Sequence, residues 1–538
     1  LGYGIYPNSF LLRLTFGFSI AGLLFLVYYY LKNKNKRIIK SIAISILVVT
    51  GFLSGSIYSE GYIPQDDESI IKEKVLYEKE LRKYQNIPQP AINEVTAEID
   101  LFPNEQSYRI RGNYIIQNKE DKSIDSILLN LPNDFKIISL IYRYKDEVIS
   151  IDKPVSELIL SKAITPNSFA ELEFEISYKW HSVNGHNSFN AIVENGSFMR
   201  VSRYFPRFGY DEEMVIQDNN QRKKYGLGSA TEIKPLESPK VKSDDFINLA
   251  MTISTPKNQT VVGTGELKKE WQQNGRNYFE YRAESIPFRF ALSSAEYRIK
   301  SVEHNGIKIQ VLYHPLHHNN VDHLIENTKL TLDYCINNFG PYPFQSVVFA
   351  EVSSFTEGFA GTAYPGVIFM TENMTFNANI KVEKNQDVVN ELAGHETAHF
   401  WWGTNQIDPD YREGYAMLTE SLAMYTEMMI YKKMYGKSKM LERLDIHRQI
   451  YDAEKGFNEN ISLLKATKDH PYLAYSKGAV VFVELSELIG EEQLNLALKN
   501  FLTKHKHPNA KPISTDLLTE IIEHSDEKYH AEIKLLFE

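Results

Sequence analysis

Two apolar stretches near the start of the chain, Leu11 to Leu31 and Ile38 to about Tyr58, do most to limit what it can become. Each is about 20 residues, enough as a helix to cross a hydrocarbon core of about 30 Å, where every backbone polar group must be paired within its own segment. Between them runs KNKNKR, residues 32 to 37. A short basic loop marks the cytoplasmic side of a membrane. Arg13 and Lys40 lie near span ends, where long side chains reach the interface. The pattern predicts a transmembrane helical hairpin over 1–59, with everything after about Ser59 outside the cytoplasm. A signal peptide fits poorly, since it has one shorter apolar core followed by a cleavage site. The same topology places Leu1 outside, as suits a piece cut from a longer polytopic chain.

Past the hairpin the chain changes character. Residues 60–90 are charged, and DDESIIKEKVLYEKELRKYQ reads as a solvated juxtamembrane spacer helix ending before Pro88, with Glu and Lys at pairing distance along it. From 91 to 305 apolar residues recur at every second position. ELEFEISYKW sets Leu172, Phe174, Ile176 and Tyr178 against Glu171, Glu173, Glu175 and Lys179, the mark of a strand with one wet face. Similar runs separated by turn clusters predict a mostly antiparallel β domain, and RIKSVEHNGIKIQVLYH predicts a hairpin turning at Asn305-Gly306. From 306 to 538 helical periodicity takes over; NVDHLIENTKLTLDYCINNFGPYP reads as a helix closed by Gly340 and Pro341. The expected fold class is multidomain α+β: a transmembrane helical hairpin, an antiparallel β domain, then a mostly helical domain. The single cysteine, Cys335, excludes an intrachain disulfide and reads as a small buried apolar residue. A formal net charge of -10 argues against a broad nucleic-acid surface, which needs clustered cations.

The chemistry concentrates in GHETAHFWWG, Gly394 to Gly403. On a helix, His395 and His399 are one turn apart and project toward one ion. Glu396 lies about 100° round the helix, badly placed as a ligand but within reach of a water. Asp387 near its start and Gly403 past its end bound that helix. A hydrolytic Zn2+ site takes a third protein ligand and leaves a place for water. Glu420, early in EGYAMLTESLAMYTEMMIYKKMYG, is placed for this. Glu413, Asp408 and Asp410 in the loop NQIDPDYRE are its rivals. His314, His317 and His318 in HPLHHNN, and His181 and His186 around Asn184-Gly185, read as exposed loop histidines. Trp401 and Trp402 read as packing behind the metal helix.

Three blocks in order carry a resemblance. HETAHFWWGTN resembles the HExxHxWxGN signature of the aminopeptidase N family of zinc metallopeptidases (gluzincins). MLTESLAMY is similar to that family's W-L-N-E-G-F-A-x-Y block, whose glutamate is the third ligand, and YSKGAVVFVEL is similar to its Y-x-K-G block. Weaker similarity extends back through FGPYPFQSVVFAEV to about residue 91. The resemblance implies Zn2+ held by His395, His399 and Glu420, with Glu396 as general base and Tyr475 steadying the transition state. It also implies a β domain packed on a thermolysin-like catalytic domain, with peptide substrate between them. ENGSFMRVSRYFPRFGYDEE and the early spans resemble bacterial chains in which this peptidase module follows the permease part of an ABC transporter. That implies an inner-membrane location, an extracytoplasmic peptidase part, and membrane and transporter subunits as partners.

Two departures from the family stand out. The stretch Phe400 to Thr419 is longer than the family's spacing between second histidine and ligand glutamate. The family's G-A-M-E-N block, whose glutamate grips a free amine, falls on AGTAYPGVI and puts Ala363 at the glutamate's place, with Glu357 and Glu351 nearby but out of register. The expected function is a membrane-anchored zinc metallopeptidase with altered selection of N-termini. The alternative is a peptidase-like lobe serving a transporter assembly as a binding or structural part, with zinc kept for stability. Glu396 and Tyr475 argue against it, because a structural zinc site closes its fourth position and has no use for a base.

Overall fold

The alternation in ELEFEISYKW becomes structure directly. In strand Phe169–Lys179 the residues Leu172, Phe174, Ile176 and Tyr178 are buried, while Glu171 and Lys179 are exposed. The computed structural model describes residues 7–32, 37–60, 67–180, 190–230, 233–240, 246–354, 358–381, 386–403, 406–456 and 461–538. Strand Phe169–Lys179 lies within an eight-stranded sheet whose spatial order is Glu266–Gln273, Arg276–Pro287, Phe246–Pro256, Ala91–Phe102, Ser107–Gln117, Phe169–Lys179, Lys136–Tyr144 and Glu147–Ser150. Neighbours are antiparallel except Ala91–Phe102 beside Phe246–Pro256, which run parallel. A three-stranded and a four-stranded sheet accompany it, and the core includes Tyr114, Trp180 and Phe205.

The hairpin at Asn305-Gly306 forms, with φ of 51° and 79° at its two central residues, as a primed turn requires. Both its strands, Arg298–His304 and Ile307–Tyr313, belong to a second sheet that continues through Ser346–Val352 and Val367–Thr371 to the edge strand Gly361–Tyr364. The expected boundary at 305/306 therefore runs through a turn. Period-two patterning identifies strands but not the sheet they join. Ile307–Tyr313, Ser346–Val352 and Val367–Thr371 run parallel, with helix Val321–Phe339 connecting the first two. Its Cys335 is buried, and burial pushes that thiol well above its ordinary range. Beyond this sheet the chain is helical, so the molecule is a multidomain α+β protein with a β-rich N-terminal part and a helical C-terminal part.

Two apolar helices, Pro7–Lys32 and Arg37–Glu60, precede all this. They run antiparallel, with Gly22 facing Leu47 and Gly51 facing Ser19, so small residues let the backbones approach. Within them, Arg13–Lys32 and Ile38–Ile57 have mean hydropathies of 1.8 and 2.0 and are long and apolar enough to cross a membrane. Most of the basic loop, residues 33–36, lies outside the described residues.

The charged helix departs from expectation. Asp67–Leu81 is not a solvated spacer: Val75, Tyr77, Glu78 and Leu81 are buried against the β-rich part. Glu78 pairs with Arg222 at 2.9 Å, both side chains only 3% exposed, and Tyr77 Oη donates to Asn130 Oδ1 at 2.9 Å. The cation that neutralises Glu78 stands 144 residues further on, so the local charge pattern could not reveal it.

Candidate metal centre

The helix that carries the histidines, Val388–Ala398, starts where its sequence says. Asp387 caps it, Oδ1 accepting from Asn390 N–H at 3.1 Å. It ends sooner than Gly403. His399, with φ -61° and ψ -15°, is its C-cap, and the chain then turns so that Trp401 and Trp402 are wholly buried. Trp401 Nε1 donates to Gly340 O at 3.0 Å, and Trp402 packs edge-on against Phe339.

The two imidazoles stand 4.9 Å apart. Glu420 Oε2 lies 3.2 Å from His395 Nε2 and 3.7 Å from His399 Nε2, and one ligand atom of each residue falls within 4.8 Å of the others. Their far nitrogens are also held. His399 Nδ1 meets Trp402 O at 2.8 Å; a carbonyl only accepts, so Nδ1 carries the hydrogen and Nε2 presents its lone pair. His395 Nδ1 faces Glu427 Oε2 at 3.5 Å. Arg443 Nη2 in turn reaches Glu427 Oε1 at 3.2 Å and Glu391 Oε2 at 3.0 Å. Burial pushes Glu427 up, but the bond to His395 and the Arg443 charge outweigh it and hold the carboxyl below its ordinary range. Neither Glu427 nor Arg443 was anticipated. Glu427 follows Glu420 by seven residues, two helical turns on the same face, which is the one local signal for it.

Glu420 and Tyr475 both stand on π-turns, Met417–Ser421 and Tyr472–Lys477. Such a turn inserts a residue into the helical ladder and re-aims the side chains beyond it. The segments lie against each other because residue 478 is glycine; a Cβ there would collide with the Ser421 side chain. The Tyr475 ring stacks on His395 at 5.8 Å between centroids, and its hydroxyl is a hydrogen-bond partner of Glu420. Burial and the Glu420 charge raise the phenol, so it remains a proton donor.

Glu396 stays out of the ligand group. Only 7% exposed, it is bonded by the backbone N–H of Ala363 on the edge strand. A Cβ at Gly361 would stand 2.8 Å from Glu396 Cγ, so that glycine makes the room. Burial pushes Glu396 up to about 7, against the opposing charge of His395.

The rival ligands are engaged elsewhere. Glu413 pairs with Lys465 at 2.9 Å, Asp408 with Lys511 at 2.7 Å and Asp410 with Arg412 at 2.5 Å. Of the loop histidines, His318 is exposed as expected, but His317 is buried and paired with Glu351, which is itself wholly buried. That corrects the reading of HPLHHNN as a solvated loop: the carboxylate that draws His317 inward comes from strand Ser346–Val352. His181, His186 and Glu357 lie outside the described residues. Two imidazoles, that of His399 with its tautomer fixed by a backbone carbonyl, and one carboxylate, beside a second carboxylate and a phenol, form a donor set that fits Zn2+ with a place left for substrate.

Residues 323–537 match the model of the peptidase family M1 domain. Glutamyl aminopeptidase of Bos taurus is 23% identical over 227 residues, 40% of this chain and 23% of the relative. Aminopeptidase M1-B of Oryza sativa subsp. japonica is 25% identical over 216 residues, 38% of this chain and 24% of the relative. The match thus spans about a quarter of the length of these curated relatives. Among solved structures, an M1 zinc metallopeptidase from Deinococcus radiodurans aligns with a TM-score of 0.55 at 13% identity, covering 84% of this chain and 94% of that one. A mutant M1 zinc metallopeptidase from the same organism, bound to a Tyr-Ser-Ala substrate, aligns with a TM-score of 0.55 at 12% identity over the same shares. The chain thus shares its fold with solved M1 zinc metallopeptidases, and its residues 323–537 match the peptidase family M1 domain.

Proposed function

We propose that the chain is an aminopeptidase-like zinc hydrolase that cuts peptides, using His395, His399 and Glu420 as ligands, Glu396 as base and Tyr475 as oxyanion donor. The observation that carries this is the convergence of the three ligand atoms within 4.8 Å, with a buried carboxylate and a phenol beside them. Held by these three residues, zinc would supply a Lewis acid for the scissile carbonyl and for the attacking water. Glu396 accepts the water's proton and returns it to the leaving amine. The backbone N–H of Ala363 and the wall at Gly361 hold its carboxylate in place. Tyr475 donates to the developing oxyanion, a role worth about 3 kcal/mol in comparable sites.

The edge strand supports a changed choice of peptide ends. Ala363 brings no carboxylate for a free amine, and Glu351 is buried against His317. The charge beside Ala363 is positive instead. Arg289 donates from Nη2 to Thr362 Oγ1 at 3.1 Å, lies over the Tyr364 ring, and acts electrostatically on Glu396. An amine anchor contributes about 3–5 kcal/mol when its partner stays buried, a hundredfold or more in rate. Without one, a peptide and its N-acetylated form are cut at rates within about tenfold of each other, and a chelator abolishes both. A free-amine preference above a hundredfold contradicts the end-selection reading. Turnover untouched by the chelator contradicts the zinc chemistry.

In this reading residues 1–59 anchor the chain in a plasma membrane of bacterial inner-membrane type. Helix Asp67–Leu81 seats on the β-rich part, and the peptidase lies outside the cytoplasm. The two apolar helices support the anchor, and the likeness of ENGSFMRVSRYFPRFGYDEE to permease-linked peptidase modules supports transporter subunits as partners.

A further inference from the structure

His317, expected in a solvated loop, opens a second cluster of metal-type donors. It lies between strand Ile307–Tyr313 and helix Val321–Phe339, and is 4% exposed. Glu351, next to last in strand Ser346–Val352, is 0% exposed, and Glu372, which begins the π-turn Glu372–Phe376, is 5% exposed. One ligand atom from each falls within 4.8 Å of the others. Among the described residues, His395, His399 and Glu420 are the only other three donors so gathered.

The contacts inside the cluster parallel those of the first site. There a ligand histidine and a ligand glutamate touch, His395 Nε2 to Glu420 Oε2 at 3.2 Å. Here His317 Nδ1 touches Glu351 Oε1. Both carboxylates are also oriented from behind: Glu351 Oε2 accepts the His314 backbone N–H at 2.6 Å, and Glu372 Oε1 accepts that of Ser354 at 2.9 Å. Asn377 Nδ2 meets His317 Nε2 at 3.4 Å. Ligands steadied by surrounding hydrogen bonds are characteristic of metal sites.

The three groups are buried together, and an imidazole with two carboxylates is a donor set that a divalent ion takes.

We propose that His317, Glu351 and Glu372 bind a second divalent first-row transition metal, distinct from the ion of the HExxH helix. One imidazole with two carboxylates suits Zn2+ or Mn2+. The ion is structural: it joins the loop before Val321–Phe339, the end of a central strand and the π-turn that packs on the catalytic helix. Asn320, in the same loop as His317, already bonds Thr375 O and Ala378 O at 2.8 Å each.

The test counts ions on the full chain in detergent, with any affinity tag removed. The protein is stripped with chelator, then titrated with Zn2+ alone and with Mn2+ alone. Two ions per wild-type chain are expected, one in Glu351→Gln, one in His395→Ala, and none in the double variant. Metal should also raise the Tm of His395→Ala but not of the double variant. Should Glu351→Gln fail to fold, His317→Asn replaces it. Wild type saturating at one ion, lost in His395→Ala, overturns the proposal and leaves a buried His–Glu pair. A second ion that survives both Glu351→Gln and His317→Asn overturns it as well. Failure of the first site looks different: a single ion that survives His395→Ala.

Discussion

Glu427 faces His395 and Arg443 faces Glu427, so the pair sets how His395 is presented. A carboxylate behind a ligand histidine fixes its ring and raises its basicity, and losing it weakens metal binding by about 10–100-fold. Glu427→Ala is expected to weaken Zn2+ binding by about that factor, while Glu413→Ala, whose carboxylate sits on Lys465, leaves affinity unchanged. Competition against a chromogenic chelator measures both, and equal affinities in the two variants remove Glu427 from the site. Gly361→Ala tests the other wall. The new methyl stands 2.8 Å from Glu396 Cγ, so turnover should fall while zinc is retained. At this scale legibility followed covalent distance. His395, Glu396 and His399 stand out because one helical turn dictates their relation. His317 does not, because its burial depends on a glutamate 34 residues away.

At the scale of elements, local signals fixed beginnings better than ends. Asp387 announces the start of the metal helix because a cap is a contact within four residues. The helix stops short of Gly403 because Trp401 and Trp402 turn into the core, a tertiary demand. The π-turns under Glu420 and Tyr475 leave no compositional trace in MLTES and YLAYSK. Asp387 also carries a test. It accepts from His323 Nε2 at 2.6 Å and from Tyr435. The bond to Asp387 raises His323 above its ordinary 6.5. Burial pushes Asp387 up, but His323, Tyr435 and the Asn390 amide outweigh it and hold the carboxyl below 3.8. The histidine's contribution is complete below 6.5 and fades as pH rises through its folded value; the aspartate's is complete above 3.8 and fades as pH falls through its own. Asp387→Ala removes the cap together with the bonds to His323 and Tyr435, and should cost more than the ~1 kcal/mol of a cap alone. In urea melts, His323→Gln should destabilise more at about pH 5.5 than at about pH 8.5; an equal loss at both contradicts the pairing.

For the whole molecule, the order of parts was legible from changes in period: apolar spans, alternating strands, then helices. Their joints were not. Strand Arg298–His304 has the same pattern as the strands before it but pairs into the second sheet, and helix Asp67–Leu81 hides its contact face behind a charged composition. The topology is open to labelling because the native thiol, Cys335, is buried. Lys34→Cys is expected to resist a membrane-impermeant maleimide in intact cells and Ser69→Cys to react; the opposite pattern reverses the orientation.

The most direct measurement concerns Glu396→Gln, scored on the same preparation for bound zinc and for hydrolysis of an unblocked peptide. An amide keeps the shape and the contact with the edge strand but cannot take a proton. One zinc at the HExxH site, as in wild type, with hydrolysis lowered by at least about a thousandfold is the expected pair of results. Turnover equal to wild type with zinc in place contradicts glutamate-based peptide hydrolysis at this centre.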